Sequence, residues 1–206
     1  MSRFFETIKI LNGEPQQLTF HQRRFEETRR INYGVLPKTE LKDIIEIPEH
    51  FRSGLVRCRV DYAEKLESVH FYPYQMSAHT KIKIVEAGDF DYSFKFSDRT
   101  YFGEQLSAAS GCDDVIFTRD GFLTDASYSN LVLSNNEKWF TPDTYLLNGT
   151  KRQRLLSEKK ISEKKIHIND LINFEKIAFI NAMRDFERVY SFIQTDDYLI
   201  LNPSTL

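Results

Sequence analysis

The chain has 206 residues, enough to bury a sizeable core in one large domain or two small ones. Charged residues make up 28% and apolar ones 41%, with acids and bases interspersed to a formal net charge of −2, so there is no electrostatic footprint for nucleic acid or an anionic membrane. Charge interrupts every apolar run near the start, no stretch is long enough to span a bilayer, and the expected location is cytoplasmic.

In chain order, Phe4 to Leu11 reads as a strand, Asn12-Gly13 as a two-residue turn and Gln16 to Thr19 as the returning strand. Thr19-Phe-His-Gln22 has the form of a capping box, which predicts a helix carrying Phe20, Arg24 and Ile31 on one face. Gly54 to Tyr62 alternates in the strand manner, and Val69 to Tyr74 is its expected hairpin partner, with Pro73 at an edge or strand end. Gln75 to Thr80 is polar and aperiodic, a candidate linker between a small α+β domain over residues 1–78 and a larger, strand-rich domain over 79–206.

Beyond it the pattern predicts a strand at Lys81 to Glu86, a helix near Thr100 to Ser110 and a hairpin pivoting on Asp120-Gly121. Val132 to Phe140 is expected to turn through Ser134-Asn-Asn-Glu137, with Thr141-Pro142 closing the strand. A helix should run from Gly149 to about Glu158, followed by Lys165-Ile-His-Ile168, a short helix at Asn169 to Asn173 and a strand at Lys176 to Asn181.

Cys58 and Cys112 follow no metal-ligand spacing and are expected to be buried thiols, and the five histidines form no metal-binding pattern, so no metal is expected. Lys95, in Asp91-Tyr-Ser-Phe-Lys-Phe-Ser-Asp-Arg99, is the one lysine flanked on both sides by aromatics. Desolvation beside apolar groups is a recognised way to make a lysine amine nucleophilic at neutral pH. With Thr124-Asp-Ala-Ser-Tyr-Ser-Asn130 thirty residues on, it suggests a Schiff-base lysine and the acidic partner of a pyridine ring.

An ordered set of segments carries a resemblance: Phe5-Glu-Thr-Ile8, His21-Gln-Arg-Arg-Phe25, Lys95-Phe-Ser-Asp-Arg99, Gly111-Cys-Asp-Asp-Val-Ile-Phe117, Asp120 to Asn130, Thr141-Pro142, Asn148-Gly-Thr-Lys-Arg152 and Ile180-Asn-Ala182. Over nearly the whole chain this order resembles the class IV aminotransferases, which include branched-chain and D-amino acid aminotransferases and aminodeoxychorismate lyase. The resemblance implies an α+β, fold-type IV enzyme using pyridoxal 5′-phosphate.

It further implies that Lys95 is the nucleophile and the acid/base. Asp125 stands where relatives usually have glutamate, the carboxylate that keeps the pyridine nitrogen protonated, and is one methylene shorter. Arg24 is implied as the phosphate cation, with Arg23 the neighbouring alternative, and Gly149, Thr150 and Lys151 as the helix start that receives the phosphate. Asn181 and Ala182 would supply the other side of the cup, chiefly by backbone, while Asn130 is read as a loop-holding residue. Arg57, Arg59 and Arg184 could hold a substrate carboxylate, though each could equally be a solvated strand or loop residue; Phe5 could line the cofactor side or belong to the core.

Three functions remain open at this point. They are transamination of a small amino acid and keto acid, release of pyruvate from aminodeoxychorismate, and cofactor binding without efficient turnover. The last is kept by Asp125 and by a chain that begins almost at the Phe-Glu-Thr motif, without the lead-in of longer relatives. The resemblance implies a homodimer, with each active site at the junction of the small and large domains and completed by the neighbouring subunit.

Overall fold

The structure, a computed structural model, describes residues 3–35, 39–136, 138–184, 186 and 188–204. These fall into two compact units, one of Met1–Met76 with Phe94–Asp98 and the other of Ser77–Ser93 with Arg99–Leu206. The short 94–98 segment groups with the first unit, unlike the residues on either side of it.

The first unit is a four-stranded antiparallel sheet in the order β2-β1-β3-β4, built from β1 (Phe4–Leu11), β2 (Glu14–Pro15), β3 (Leu55–Tyr62) and β4 (Leu66–Pro73). Asn12 and Gly13 both take positive φ, the requirement of the tight turn that joins β1 to β2. The return strand is Glu14–Pro15 and not Gln16 to Thr19, because the turn places Glu14 opposite Leu11 and helix α1 (Leu18–Tyr33) begins immediately afterwards. The expected capping box is also absent: the N-cap is Gln17 in a left-handed conformation with no side-chain cap. Starting at Leu18 turns His21, Phe25, Thr28 and Arg29 inward, and Ile31 of the predicted face lies 52% exposed.

Phe4, Ile8 and Ile10 of β1 and Val56, Cys58, Val60 and Tyr62 of β3 point to one side by strand alternation. There they pack on Phe25, on Leu41 of the short helix α2 (Leu41–Ile44), and on Phe94 and Phe96. Fully burying each such side chain is worth about 1.5–3 kcal/mol. Cys58 is in this core, whereas Cys112, in the second unit, is only partly buried. The outer edge of β1 is shared: β2 pairs with its C-terminal end, and the 94–98 segment pairs with its start. Phe5 N–H donates to Lys95 O at 3.0 Å, and Ser97 N–H to Arg3 O at 2.8 Å.

The second unit is a nine-stranded sheet made of β5 (Lys81–Glu86), β6 (Asp114–Arg119), β7 (Phe122–Ala126), β8 (Asn130–Asn135), β9 (Lys138–Pro142), β10 (Ser162–Lys164), β11 (Lys176–Ile180), β12 (Val189–Gln194) and β13 (Tyr198–Ser204). Its order is β10-β9-β8-β11-β12-β13-β5-β6-β7, and β7 also pairs with β8, so seven strands close into a barrel with β9 and β10 extending from it. The closing β7–β8 contact is the pair Asp125 and Asn130. Asp120 and Gly121 form the positive-φ hairpin turn expected between β6 and β7. The β8–β9 turn passes through Asn136; Glu137, part of the predicted turn, lies outside the described residues.

Ile82, Ile116, Leu123, Leu131, Leu133, Ile177, Tyr190, Leu199 and Leu201 form the main core of this unit. Helix α3 (Thr100–Ala108) buries Phe102, and helix α4 (Thr150–Ser157) sets Leu155 against Val132, Ile161 and Ile180. A 3-10 turn covers Ile168–Asn173. No helix among the described residues is long and apolar enough to cross a membrane.

Candidate functional site

The chemistry-bearing residues of the first unit gather on β1 and its neighbours. Strand alternation that turns Phe4, Ile8 and Ile10 inward also turns Glu6 inward, leaving it fully buried. An isolated carboxylate there would be expensive, so it must be paired. Arg24 donates from Nε to Oε1 at 2.8 Å and from Nη2 to Oε2 at 2.6 Å, and His21 Nδ1 lies 2.6 Å from Oε2. Burial would raise the Glu6 pKa, but the charge and hydrogen bonds of Arg24, with those of His21, bring it down to about 2. The His21 pKa is lowered, chiefly by burial. Against an ionised carboxylate, a neutral His21 carries its hydrogen on Nδ1.

Sequence reading missed Glu6 as the partner of Arg24 and His21. The signal was present, since an acid at an inward position of an alternating strand demands a counter-charge.

Phe5, on the opposite strand face, is 5% exposed. Lys95 Nζ lies 4.6 Å from its ring centroid and the Arg59 guanidinium 3.9 Å away. The Phe5 N–H bond to Lys95 O therefore sets the backbone from which this lysine projects beside an aromatic face. Arg59 is bound bidentately to Asp61, with Nη2 at 2.7 Å from Oδ1, and Arg57 lies over Tyr72.

In the second unit, Asp125 is the last residue but one of β7 and is 5% exposed. Its Oδ1 accepts from Asn130 Nδ2 at 2.7 Å, and its Oδ2 from the amides of Leu146 at 3.1 Å and Leu147 at 2.8 Å. Burial raises its pKa to about 6 in spite of the Leu147 amide, Asn130 and the charge of Arg152. Asn130 Nδ2 also donates to Leu147 O at 2.8 Å, so one amide holds both the carboxylate and the loop.

The same Asn130 touches Gly149: a Cβ at that position would collide with Asn130 Oδ1. Gly149 is the N-cap of α4, and Thr150 and Lys151 of its first turn are buried. A helix start combines outward-facing amides with a favourable dipole for an anion. Asn181 turns its side chain back onto the chain, donating to Tyr128 O at 3.0 Å and accepting from the amides of Met183 and Arg184. This fixes the turn that contains Ala182. Arg184 is engaged with Ser77 Oγ at 2.6 Å and with His79 Nε2 at 2.5 Å. Among the described residues no cluster of three or more His, Cys, Asp or Glu could hold a metal ion.

A buried carboxylate joined through one asparagine to a glycine-led helix start fits a flat, phosphorylated pyridine cofactor. In the first unit, Lys95 carries its amine beside the Phe5 ring. The small α+β unit and the closed strand-rich barrel unit are those of the fold-type IV class. A family model for amino-transferase class IV matches residues 97–192.

An uncharacterized protein of Haemophilus influenzae is 37% identical over 185 residues, 89% of this chain and 98% of that protein. The crystal structure of a protein from Haemophilus somnus provisionally named a 4-amino-4-deoxychorismate lyase is 38% identical, with a TM-score of 0.81 over 89% of this chain and 97% of that one. A hypothetical aminotransferase from Mycobacterium tuberculosis in its pyridoxal phosphate-bound form shares the fold at 18% identity, with a TM-score of 0.69 over 88% of this chain and 78% of that one. The chain belongs to the class IV aminotransferase family of pyridoxal phosphate-dependent enzymes.

Proposed function

We propose that the chain is a pyridoxal phosphate-dependent aminotransferase that exchanges the amino group of a small amino acid with a keto acid. The observation that carries this is Asp125, a buried carboxylate fixed by three hydrogen bonds and linked through Asn130 to the helix start at Gly149.

When bound, the cofactor supplies an electron sink for the pair left on the substrate α-carbon. Lys95 Nζ would hold the cofactor covalently and, once the incoming substrate amine has displaced it, the freed amine would accept and carry the substrate α-proton. Asp125 holds a proton at the ring nitrogen. The amides that brace it keep the shorter side chain of this chain in a single orientation. The Gly149-Thr150-Lys151 start of α4 would receive the phosphate, with the Asn181-Ala182 turn as a further wall, and Arg24 of the first unit is the cation that the resemblance implies for it. Glu6 fixes the plane of the Arg24 guanidinium by its two hydrogen bonds. A homodimer in the cytoplasm completes the reading, and sedimentation of the purified protein checks the oligomer.

A second reading, pyruvate-releasing cleavage of aminodeoxychorismate, is favoured by the name of the 38% identical Haemophilus somnus protein. It calls on the same residues up to loss of the α-proton. The first experiment is the visible spectrum of the protein with pyridoxal phosphate, followed by borohydride reduction and peptide mapping. A pyridoxyl group on Lys95 supports the proposal, and its absence refutes it. Pyruvate formed from aminodeoxychorismate with no keto acid present selects the lyase; amino transfer that requires an acceptor selects the aminotransferase.

A further inference from the structure

Two of the three hydrogen bonds that fix Asp125 come from a stretch without regular secondary structure, between Pro142 at the end of β9 and Gly149 at the start of α4. Backbone amides on an unbraced loop would be poor fixtures for a buried carboxylate. The brace is Arg152, whose side chain is 1% exposed. Its Nη2 donates to Pro142 O at 3.1 Å, where the stretch begins, and its Nη1 to Asn148 Oδ1 at 3.1 Å, where it ends. Between them, Tyr145 stacks its ring 4.2 Å from the guanidinium carbon. Glu163 of β10 supplies the counter-charge at 2.5 Å from Nη2.

The Glu163 carboxylate is half-exposed, so the ion pair is partly in water, and it is the buried guanidinium's bonds to Pro142 O and Asn148 Oδ1 that set the orientation. Here the guanidinium fork spans both ends and the middle of the one stretch whose amides reach Asp125.

We infer that Arg152 is a positioning residue, which fixes the 142–148 stretch so that the Leu146 and Leu147 amides hold Asp125 in the orientation the reaction uses. The inference rests on the reading of Asp125 as the carboxylate facing the cofactor ring. It separates Arg152 from Lys151 beside it, which belongs to the helix start itself. The effect passes through geometry, so a lysine, which keeps the charge and loses the fork, is no substitute.

The test follows the side-chain carboxyl of Asp125 by carbon-13 NMR as a function of pH in the cofactor-free protein, with Asp125→Asn identifying the signal. In the unsubstituted chain this carboxyl titrates near the value of about 6 that burial gives it. Arg152→Met should raise the midpoint by about one pH unit or more, the scale of loss of a nearby cation and hydrogen bonds, and Arg152→Lys should fail to restore it. Asn148→Ala, which deletes one anchor and leaves the fork in place, should move it in the same direction by less, and serves if the Arg152 variants do not fold. A midpoint unchanged in all variants, or fully restored by lysine, overturns the inference. A fall in thermal stability alone, with the midpoint unmoved, assigns Arg152 to the scaffold. None of these readings depends on Lys95 or on turnover, so they stand apart from the mapping of the pyridoxyl group.

Discussion

Glu6→Gln tests whether the buried ion pair of the first unit is formed as described. In the folded chain the Glu6 pKa is about 2, against an ordinary value of 4.5. At about 1.4 kcal/mol per unit, that difference is worth about 3 kcal/mol of stability at pH 7. The direct cost of removing one partner from a buried pair, about 3–5 kcal/mol, leads to the same figure, with the low end expected because the glutamine oxygen can still accept from Arg24.

The sign follows from a depressed carboxyl. Its contribution is fully present above about pH 4.5 and is lost as the pH falls through about 2. Urea unfolding of the cofactor-free protein and the variant, from pH 7 down to pH 2, reads both quantities. The variant should be less stable by about 3 kcal/mol at neutral pH, and the gap should close as the acid limit is approached. A gap below about 1 kcal/mol at pH 7, the size of an exposed pair, or one that does not narrow in acid, would refute the reasoning.

Other outcomes follow from the same geometry. Asp125 has the opposite sign: its folded pKa is raised from 3.8 to about 6, so ionising it costs the cofactor-free fold roughly 3 kcal/mol as pH rises through that window. Asp125→Asn should remove this slope from a stability-against-pH curve, and in the loaded enzyme it should leave the cofactor bound but slow α-proton removal. Unchanged turnover would show that another acid serves the ring. Gly149→Ala places a methyl group into Asn130, so it should weaken cofactor retention on dialysis and lower the melting temperature, by an amount consistent with about 1–3 kcal/mol of overpacking. Lys95→Ala should abolish the visible absorbance of the bound cofactor while leaving the unfolding curve within about 0.5 kcal/mol of the parent, since the side chain is only partly buried.

Much of the fold was legible where backbone chemistry is local. Asn12-Gly13 and Asp120-Gly121 carry their turn type in two residues, and the alternation of Leu55–Tyr62 matches its burial residue by residue. Helix α1 was misread at its start because the Thr19-Phe-His-Gln22 pattern imitates a cap, whereas Gln17 takes the left-handed conformation and the helix is registered by Phe25 and His21 entering the core. Strands β12 and β13 were not anticipated; their pairing with β11 and β5 is what carries the sheet round towards closure, a long-range contact with no local signature. At the candidate site, Lys95 and Asp125 could be singled out by their neighbours in sequence. Arg152 could not, because its anchors at Pro142 and Asn148 acquire meaning only when the amides between them are seen on Asp125.

The return of residues 94–98 to the first unit means that the chain passes between the two units three times, after Met76, after Ser93 and after Asp98. Neither unit is therefore a cassette that could be exchanged by a single cut. A fragment ending at Met76 would keep β3 beside Phe4 and Phe5 but lose their partner on the other side, and one beginning at Ser77 would carry Lys95 on a segment stripped of its hydrogen-bonding edge. Recombination between relatives would have to keep both the opening strand and this five-residue insert from the same parent, so the two stretches are expected to be inherited together although some ninety positions part them.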